Sequence, residues 1–312
     1  MIKDKLIILA GPTASGKTAV SVDLAKRIGG EIISADSMQI YRGMDIGTAK
    51  LREDEMDGIR HHLIDILSPF DEFNIAIFKE LAKKAIEDIH SRGKEAVLVG
   101  GTGFYIQSVL YDTDFTTGDS DKELRESLSL EYDEKGAGYM YNKLKALDEK
   151  AAESIHPNNK KRIIRAIEYA LSNDKKISEH NINERAKKSP YNYKYFVLNL
   201  ERKKLYNRIE QRVDIMIKQG LLAEVKKLYE LGCRKDMVSM KGIGYKEILE
   251  YIEGSISLEE ASELIKKETR HFAKRQITWF KREKEAIWLD IDDFANEEDL
   301  VNYMIKGGEN AK

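Results

Sequence analysis

Apolar residues follow two periods along this chain, and the alternation between them outlines an α/β fold. Residues 5–9 form a short, nearly continuous apolar run, the mark of a strand buried on both faces, and a glycine-rich turn follows. Residues 17–28 carry Val20, Leu24 and Ile28 at helical spacing, and 31–35 read as a second strand ending at Asp36-Ser37. Residues 75–90 form a long amphipathic helix with Ile75, Phe78, Ala82, Ala85, Ile86 and Ile89 on its inner face. A third strand, 95–99, closes on Gly100-Gly101-Thr102-Gly103. Strands alternating with helices predict a parallel sheet covered by helices on both faces. Ligands of such sheets bind beyond the carboxyl ends of the strands, where the glycine-rich turn, Asp36 and Thr102 all fall.

The pattern changes after about Tyr111. Asp112, Asp114, Asp119, Asp121, Glu123 and Glu126 make an acidic stretch, and from Leu124 the apolar positions recur at helical spacing. Lys160-Lys161-Arg162-Ile163-Ile164-Arg165 then opens a basic helix. Residues 116–195 therefore read as a mostly helical insertion into a core made of 1–115 and 196–312. That core resumes with a strand near 195–200, helices at 203–219, 221–231, 245–252 and 258–282, a strand at 287–291 and a last helix at 297–305. No internal repeat is visible.

Composition narrows the class. A chain of 312 residues, 42% hydrophobic and 34% charged, suits a folded protein of about two domains. Its four prolines and lack of low-complexity tracts exclude a disordered or collagen-like chain. The longest apolar run, 6–10, is far short of the ~20 residues that span a bilayer. It merges into Gly11-Pro12-Thr13, which is a poor secretory signal. No membrane association and a cytoplasmic location are expected. The single cysteine, Cys233, excludes an internal disulfide and a cysteine-rich zinc site. Basic and acidic groups number 52 and 54, so affinity for a nucleic acid has to come from local patches. The adjacent pair His61-His62 points to opposite faces of a strand and has no ligand triad nearby, which favours a structural role.

The clearest chemistry is in Gly11-Pro12-Thr13-Ala14-Ser15-Gly16-Lys17-Thr18, which fits the phosphate-loop pattern G-x-x-x-x-G-K-[ST] between a strand and a helix. Loop N–H groups and the helix dipole face a polyphosphate, Lys17 neutralises its terminal oxygens, and the Thr18 hydroxyl can ligate Mg²⁺. A P-loop NTPase-like fold follows, with ATP, GTP or another diphosphate all open. Asp36 could hold Mg²⁺, bind a ribose or act as a base, and it could equally serve as a cap or turn residue. The run Lys274-Arg275-Gln276-Ile277-Thr278-Trp279-Phe280-Lys281-Arg282 mixes cations, aromatics and polar groups suited to phosphate contacts and base stacking. On its own it could also be a solvated basic face with aromatics in the core. With 160–165 and Lys241-Gly242-Ile243-Gly244-Tyr245-Lys246 it makes three cationic segments, which suggest a polyanionic partner.

Taken in order with Ser37-Met38-Gln39-Ile40-Tyr41, Gly43-Met44-Asp45-Ile46-Gly47-Thr48-Ala49-Lys50, Phe104-Tyr105 and His156-Pro157-Asn158, these segments resemble the bacterial tRNA dimethylallyltransferase family over essentially the whole chain. Asn159 stands where that family often has Asp, and one cysteine cannot supply the zinc finger of the related eukaryotic enzymes. The resemblance implies transfer of a dimethylallyl group from dimethylallyl diphosphate to N6 of adenosine 37 in the tRNA anticodon stem-loop, with Mg²⁺, by a monomer. It implies Asp36 as general base, Thr102 as an orienting group, and Lys17 with Arg212 on the diphosphate. It places Asp36, Ser37, Met38, Gln39, Thr102, Lys161, Arg162, Ile163, Ile164 and Arg165 against the tRNA. Lys241, Gly242, Ile243, Gly244, Tyr245, Lys246, Lys274, Arg275, Gln276, Thr278, Trp279 and Lys281 join them there. The alternatives are an adenylate isopentenyltransferase using free AMP, ADP or ATP, a P-loop small-molecule kinase, and an RNA-binding protein with an inactive loop.

Overall fold

The computed structural model describes residues 4–114, 122–173 and 175–307. Asp119 and Asp121 of the acidic stretch, and the expected insertion start at 116, lie outside the described residues. In chain order the elements are β1 (Lys5–Ala10), α1 (Lys17–Ile28), β2 (Gly30–Ser34), β3 (His61–His62), α2 (Ile75–Ser91), β4 (Glu95–Gly100) and α3 (Gly103–Leu110). Then come α4 (Lys122–Leu147), α5 (Glu149–Ser154), α6 (Lys160–Asn173), α7 (Ile177–Ala186) and β5 (Asn192–Asn199). The chain ends with α8 (Arg202–Gln219), α9 (Leu221–Glu230), α10 (Tyr245–Ile252), α11 (Leu258–Phe280), β6 (Ala286–Asp290) and α12 (Glu297–Ile305). Two compact units result, one of Met1–Val109 with Tyr191–Lys312 and one of Leu110–Pro190.

The first unit is built on a six-stranded, wholly parallel sheet in the order β3-β2-β4-β1-β5-β6. Helices cover it, so its central strands bury consecutive residues rather than alternate ones: Ile8, Leu9 and Ala10 in β1, and Ala96, Val97 and Leu98 in β4, are all fully buried. Leu24 of α1 and Val301 of α12 pack with Leu9, Ile32, Val97 and Phe196 in one core. The register decides where the site lies. Ala10 pairs with Gly100 and Ser34 with Val99, so the turns after β1, β2 and β4 emerge side by side at one edge. β1 sits between β4 and β5: the chain lays β2, β3 and β4 on one side of it and β5 and β6 on the other, and this reversal opens a crevice beside β1.

Three elements depart from the sequence pattern for identifiable reasons. β3 has only two residues, too few for any periodicity, and is defined by pairing of His61 and His62 with Ile32 and Ile33. His62 serves the packing of the sheet: its Nε2 lies 2.7 Å from Oε2 of Glu31, a carboxylate only 2% exposed that also binds Arg92 and Lys94. α3 has no polar stripe, because Ile106, Ser108, Val109 and Leu110 are all buried. β5 starts at Asn192, ahead of the expected 195, because the polar Asn192 and Lys194 still pair with Lys5 and Ile7 of β1.

The second unit is helical. α4 breaks at Gly136, whose φ of 81° is left-handed, and the two arms close with α5 and α6 on a core of Leu128, Met140, Leu144, Ile163 and Ile167. Glu168, 2% exposed, receives Arg125 at 2.9 Å and Arg165 at 3.2 Å. Asp148 caps α5 through the Ala151 N–H and also accepts the Ser178 hydroxyl at 2.7 Å.

Candidate active site

The glycine-rich loop leaves β1 at Ala10 and turns through left-handed backbone at Ala14 (φ 63°) and Gly16 (φ 88°) before α1 begins at Lys17. The first-turn N–H groups of α1 have no helical acceptors, which makes this turn an anion site in waiting. Gly16, Lys17 and Thr18 line a cavity of about 120 Å³ there. Lys17 Nζ donates to the Pro12 carbonyl at 2.8 Å. Burial, reinforced by the nearby Arg212 charge and opposed by Asp36, pushes the Lys17 ammonium down to about 7. α11 braces the loop through one side chain. The Thr13 N–H donates to Gln276 Oε1 at 2.9 Å, and Gln276 Nε2 donates to the Gly101 carbonyl at 2.9 Å. A Cβ on Gly101 would lie 2.1 Å from that nitrogen, so only glycine allows the brace.

Asp36 leaves the end of β2, and its Oδ1 accepts the N–H groups of Met38 at 2.8 Å and Gln39 at 3.4 Å. The turn role and the ligand-facing role therefore coexist: one oxygen holds the backbone, and no hydrogen bond among the described residues engages Oδ2. A second cavity of about 530 Å³ carries the apolar side chains of Phe73, Tyr105, Val213, Met216 and Ile265. The two cavities share Thr13, Asp36, Thr48, Ala49, Arg212 and Phe272. Asp36 and Arg212 thus stand where the smaller loop cavity meets a larger, more apolar one. Arg212, on α8, is held below its usual pKa by burial, with Asp36 opposing. Thr102 lines the larger cavity, and its carbonyl starts α3 by accepting the Tyr105 and Ile106 N–H groups.

Among the described residues no three His, Cys, Asp or Glu side chains could together hold a metal ion. The donors beside the loop are hard oxygens instead. Thr18 lines the small cavity, and the buried Ser15 hydroxyl has no hydrogen-bond partner among the described residues. One or two protein oxygens completed by phosphate and water fit a hard divalent cation such as Mg²⁺ or Mn²⁺.

A family model described as IPP transferase matches residues 39–283. The chain belongs to the IPP transferase family. A tRNA dimethylallyltransferase of Lachnoclostridium phytofermentans is 54% identical over 301 residues, covering 96% of each chain. Among solved structures, a full-length tRNA isopentenylpyrophosphate transferase of Bacillus halodurans is 44% identical with a TM-score of 0.72, covering 98% of this chain and 97% of that one. A eukaryotic dimethylallyltransferase acting on tRNA is 30% identical with a TM-score of 0.83, covering 97% of this chain and 80% of that one.

Within this IPP transferase fold the loop residues 11–18, Asp36, Thr102 and Arg212 come together in one unit, as do Met38, Gln39 and the 241–246 turn. Other expected tRNA contacts divide by burial. Ile163 and Ile164 face the helical unit's own core, while Lys161 and Arg162 are exposed beside them. Gln276, 5% exposed, is turned inward to the loop, and the Thr278 hydroxyl is spent on the Lys274 carbonyl of its own helix. Lys274, Arg275 and Lys281 are exposed on the same helix. Trp279 packs against Gly103 and Phe104, with Arg282 stacked over its ring at 5.1 Å. Phe272 lines both cavities and was not singled out in the sequence. Its only signal is that it precedes Gln276 by one helical turn.

Proposed function

We propose that this IPP transferase moves the dimethylallyl group of dimethylallyl diphosphate to N6 of adenosine 37 in tRNA and releases diphosphate. The observation that carries the reading is the position of Asp36, with one oxygen tied down and the other unengaged, on the boundary between the loop cavity and the apolar cavity. The diphosphate takes the loop cavity. The prenyl chain crosses the boundary, and the extruded purine takes the larger space, at a cost of a few kcal/mol in unstacking.

As the allylic C–O bond breaks, its electron pair goes to the diphosphate, whose charge Lys17, the loop N–H groups and Arg212 stabilise. The N6 lone pair forms the new C–N bond. Asp36 Oδ2 takes the proton that N6 sheds, removing positive charge from an otherwise feeble nucleophile. Thr102 orients the amine from the wall of the larger cavity. Thr18 would hold Mg²⁺, which when bound supplies further neutralisation of the leaving group. Exposed Lys161, Arg162, Lys241, Lys274, Arg275 and Lys281 meet the RNA backbone, with Trp279 offered to a base. The enzyme is taken as a cytoplasmic monomer, and none of its described helices is long and apolar enough to cross a membrane.

Offering labelled dimethylallyl diphosphate to tRNA and to AMP in parallel tests this reading. Label in tRNA alone is the expected result, and label in AMP alone overturns it.

A further inference from the structure

One carboxylate outside every motif in the chain gathers four donors. Glu224, on α9, accepts the N–H groups of Asp45 at 2.9 Å and Ile46 at 2.8 Å through Oε2. Through Oε1 it accepts the Gly47 N–H at 3.1 Å and the Tyr245 hydroxyl at 2.6 Å. Three successive backbone N–H groups converging on one anion form the kind of nest that elsewhere binds phosphate, filled here by the protein's own charge. Tyr245 is fully buried, and its ring lies so close to Gly47 that a Cβ there would sit 2.5 Å from it. Lys50 fixes the far end of the same turn, donating to the Tyr41 carbonyl at 2.8 Å and to Asp45 Oδ1 at 2.6 Å.

What the turn carries gives this anchor its use. Gly47, Thr48, Ala49 and Tyr245 line the larger cavity, with Thr48 and Ala49 also bordering the loop cavity. The carbonyls of Thr48 and Ala49 accept from Gln39 Nε2 at 3.2 and 3.5 Å, and Gln39 in turn donates its backbone N–H to Asp36 Oδ1. A continuous set of hydrogen bonds therefore runs from Glu224 through the 45–49 turn and Gln39 to the carboxylate on the cavity boundary. The phosphate loop is braced separately, by Gln276. We infer that Glu224 is a positioning residue that holds the purine-receiving wall of the reaction cavity, while the phosphate loop, the main diphosphate contact, keeps its own brace through Gln276. This rests on the reading that the larger cavity receives the tRNA base.

The test measures two quantities on the full chain: kcat/KM for tRNA at saturating dimethylallyl diphosphate, and the affinity for inorganic diphosphate with Mg²⁺ by calorimetry. Glu224→Gln keeps the volume but puts an NH₂ against N–H donors. It should lower kcat/KM for tRNA at least ~10-fold, as expected for an unsatisfied, partly buried contact set. Its diphosphate affinity should stay within about 3-fold of wild type. Tyr245→Phe, which removes only one of the four donors, should do less. Gly47→Ala, with Glu224 intact, should produce the same split by displacing the Tyr245 ring, and it keeps the test open should Glu224→Gln fold poorly. Wild-type turnover in both Glu224→Gln and Gly47→Ala, or a parallel loss of diphosphate affinity, overturns the assignment. A wild-type protein that leaves tRNA unmodified would instead overturn the underlying reading.

Discussion

Lys17 Nζ donates a 2.8 Å hydrogen bond to the carbonyl of Pro12, within the loop that it serves. Burial has brought this ammonium down to about 7, so near neutral pH the free protein holds it only partly charged. An arriving diphosphate both replaces the Pro12 carbonyl and raises the lysine pKa, so binding takes up a proton. Below pH 7 the charge is already present. As pH rises above 7 the proton must come from solvent, and affinity should fall, by at most tenfold per unit. Calorimetry in buffers of different ionisation enthalpy should detect the uptake. Lys17→Ala should abolish it and weaken diphosphate binding about 10- to 100-fold, the worth of a charge-assisted hydrogen bond. The same uptake in Lys17→Ala would remove Lys17 from this role.

Asp36→Asn should separate chemistry from binding. Its remaining oxygen can still accept the Met38 N–H, so the turn survives, but the amide cannot take a proton from N6. The expected loss is ~10²–10⁴-fold in kcat, typical of a general base, with tRNA affinity within about 3-fold of wild type. Single-turnover rates set beside filter-binding affinities check both halves. Unchanged turnover would assign the base to another group.

The sequence pattern carries some of these features and not others. The phosphate loop announces itself because close backbone approach and a lysine constrain both residue type and spacing. The strands read easily where both faces are covered, as at Leu6 to Ala10. Side-chain direction was another matter. Ile163 and Ile164 travelled with their basic neighbours in the sequence, yet a helix sends adjacent residues about 100° apart, so the isoleucines went to the core and the cations to the surface. Gln276 sits among cations and reads as an RNA contact, while its side chain bonds Thr13 and Gly101 from a distant segment, which no local spacing reveals. Glu224 gave no local sign at all, since all four of its partners lie outside α9.

The exposed face of α11 should govern salt sensitivity. Replacing Lys274, Arg275 and Lys281 together by Ala should reduce the slope of log affinity for tRNA against log salt by roughly 2, at ~0.7 per phosphate contact on a single strand. Gln276→Ala should leave that slope alone and raise KM for dimethylallyl diphosphate instead. An unaltered slope in the triple variant would mean that these cations do not meet phosphates.

Glu31 should contribute to the acid limit of the fold. Its bonds to Arg92, Lys94 and His62 hold the carboxyl far below its usual value of 4.5, with burial opposing. A depressed carboxyl stabilises the fold fully above the unfolded value, and that contribution drains away as pH falls below about 4.5. Glu31→Gln should cost about 1–2 kcal/mol at pH 7, since Arg92 and Lys94 stay partly solvated and Arg92 keeps Asp88. It should also flatten the loss of stability between pH 5 and pH 3 in urea titrations. An equally steep acid limb in the variant would place the titrating group elsewhere.

The most direct measurement is mass analysis of the nucleosides of tRNA after incubation with dimethylallyl diphosphate and Mg²⁺, with fragment mapping of the modified position. The expected product is adenosine heavier by one isopentenyl unit on N6, located at position 37, and lost in Asp36→Asn. Unmodified tRNA alongside prenylated AMP, or a product that persists undiminished in Asp36→Asn, would contradict the account.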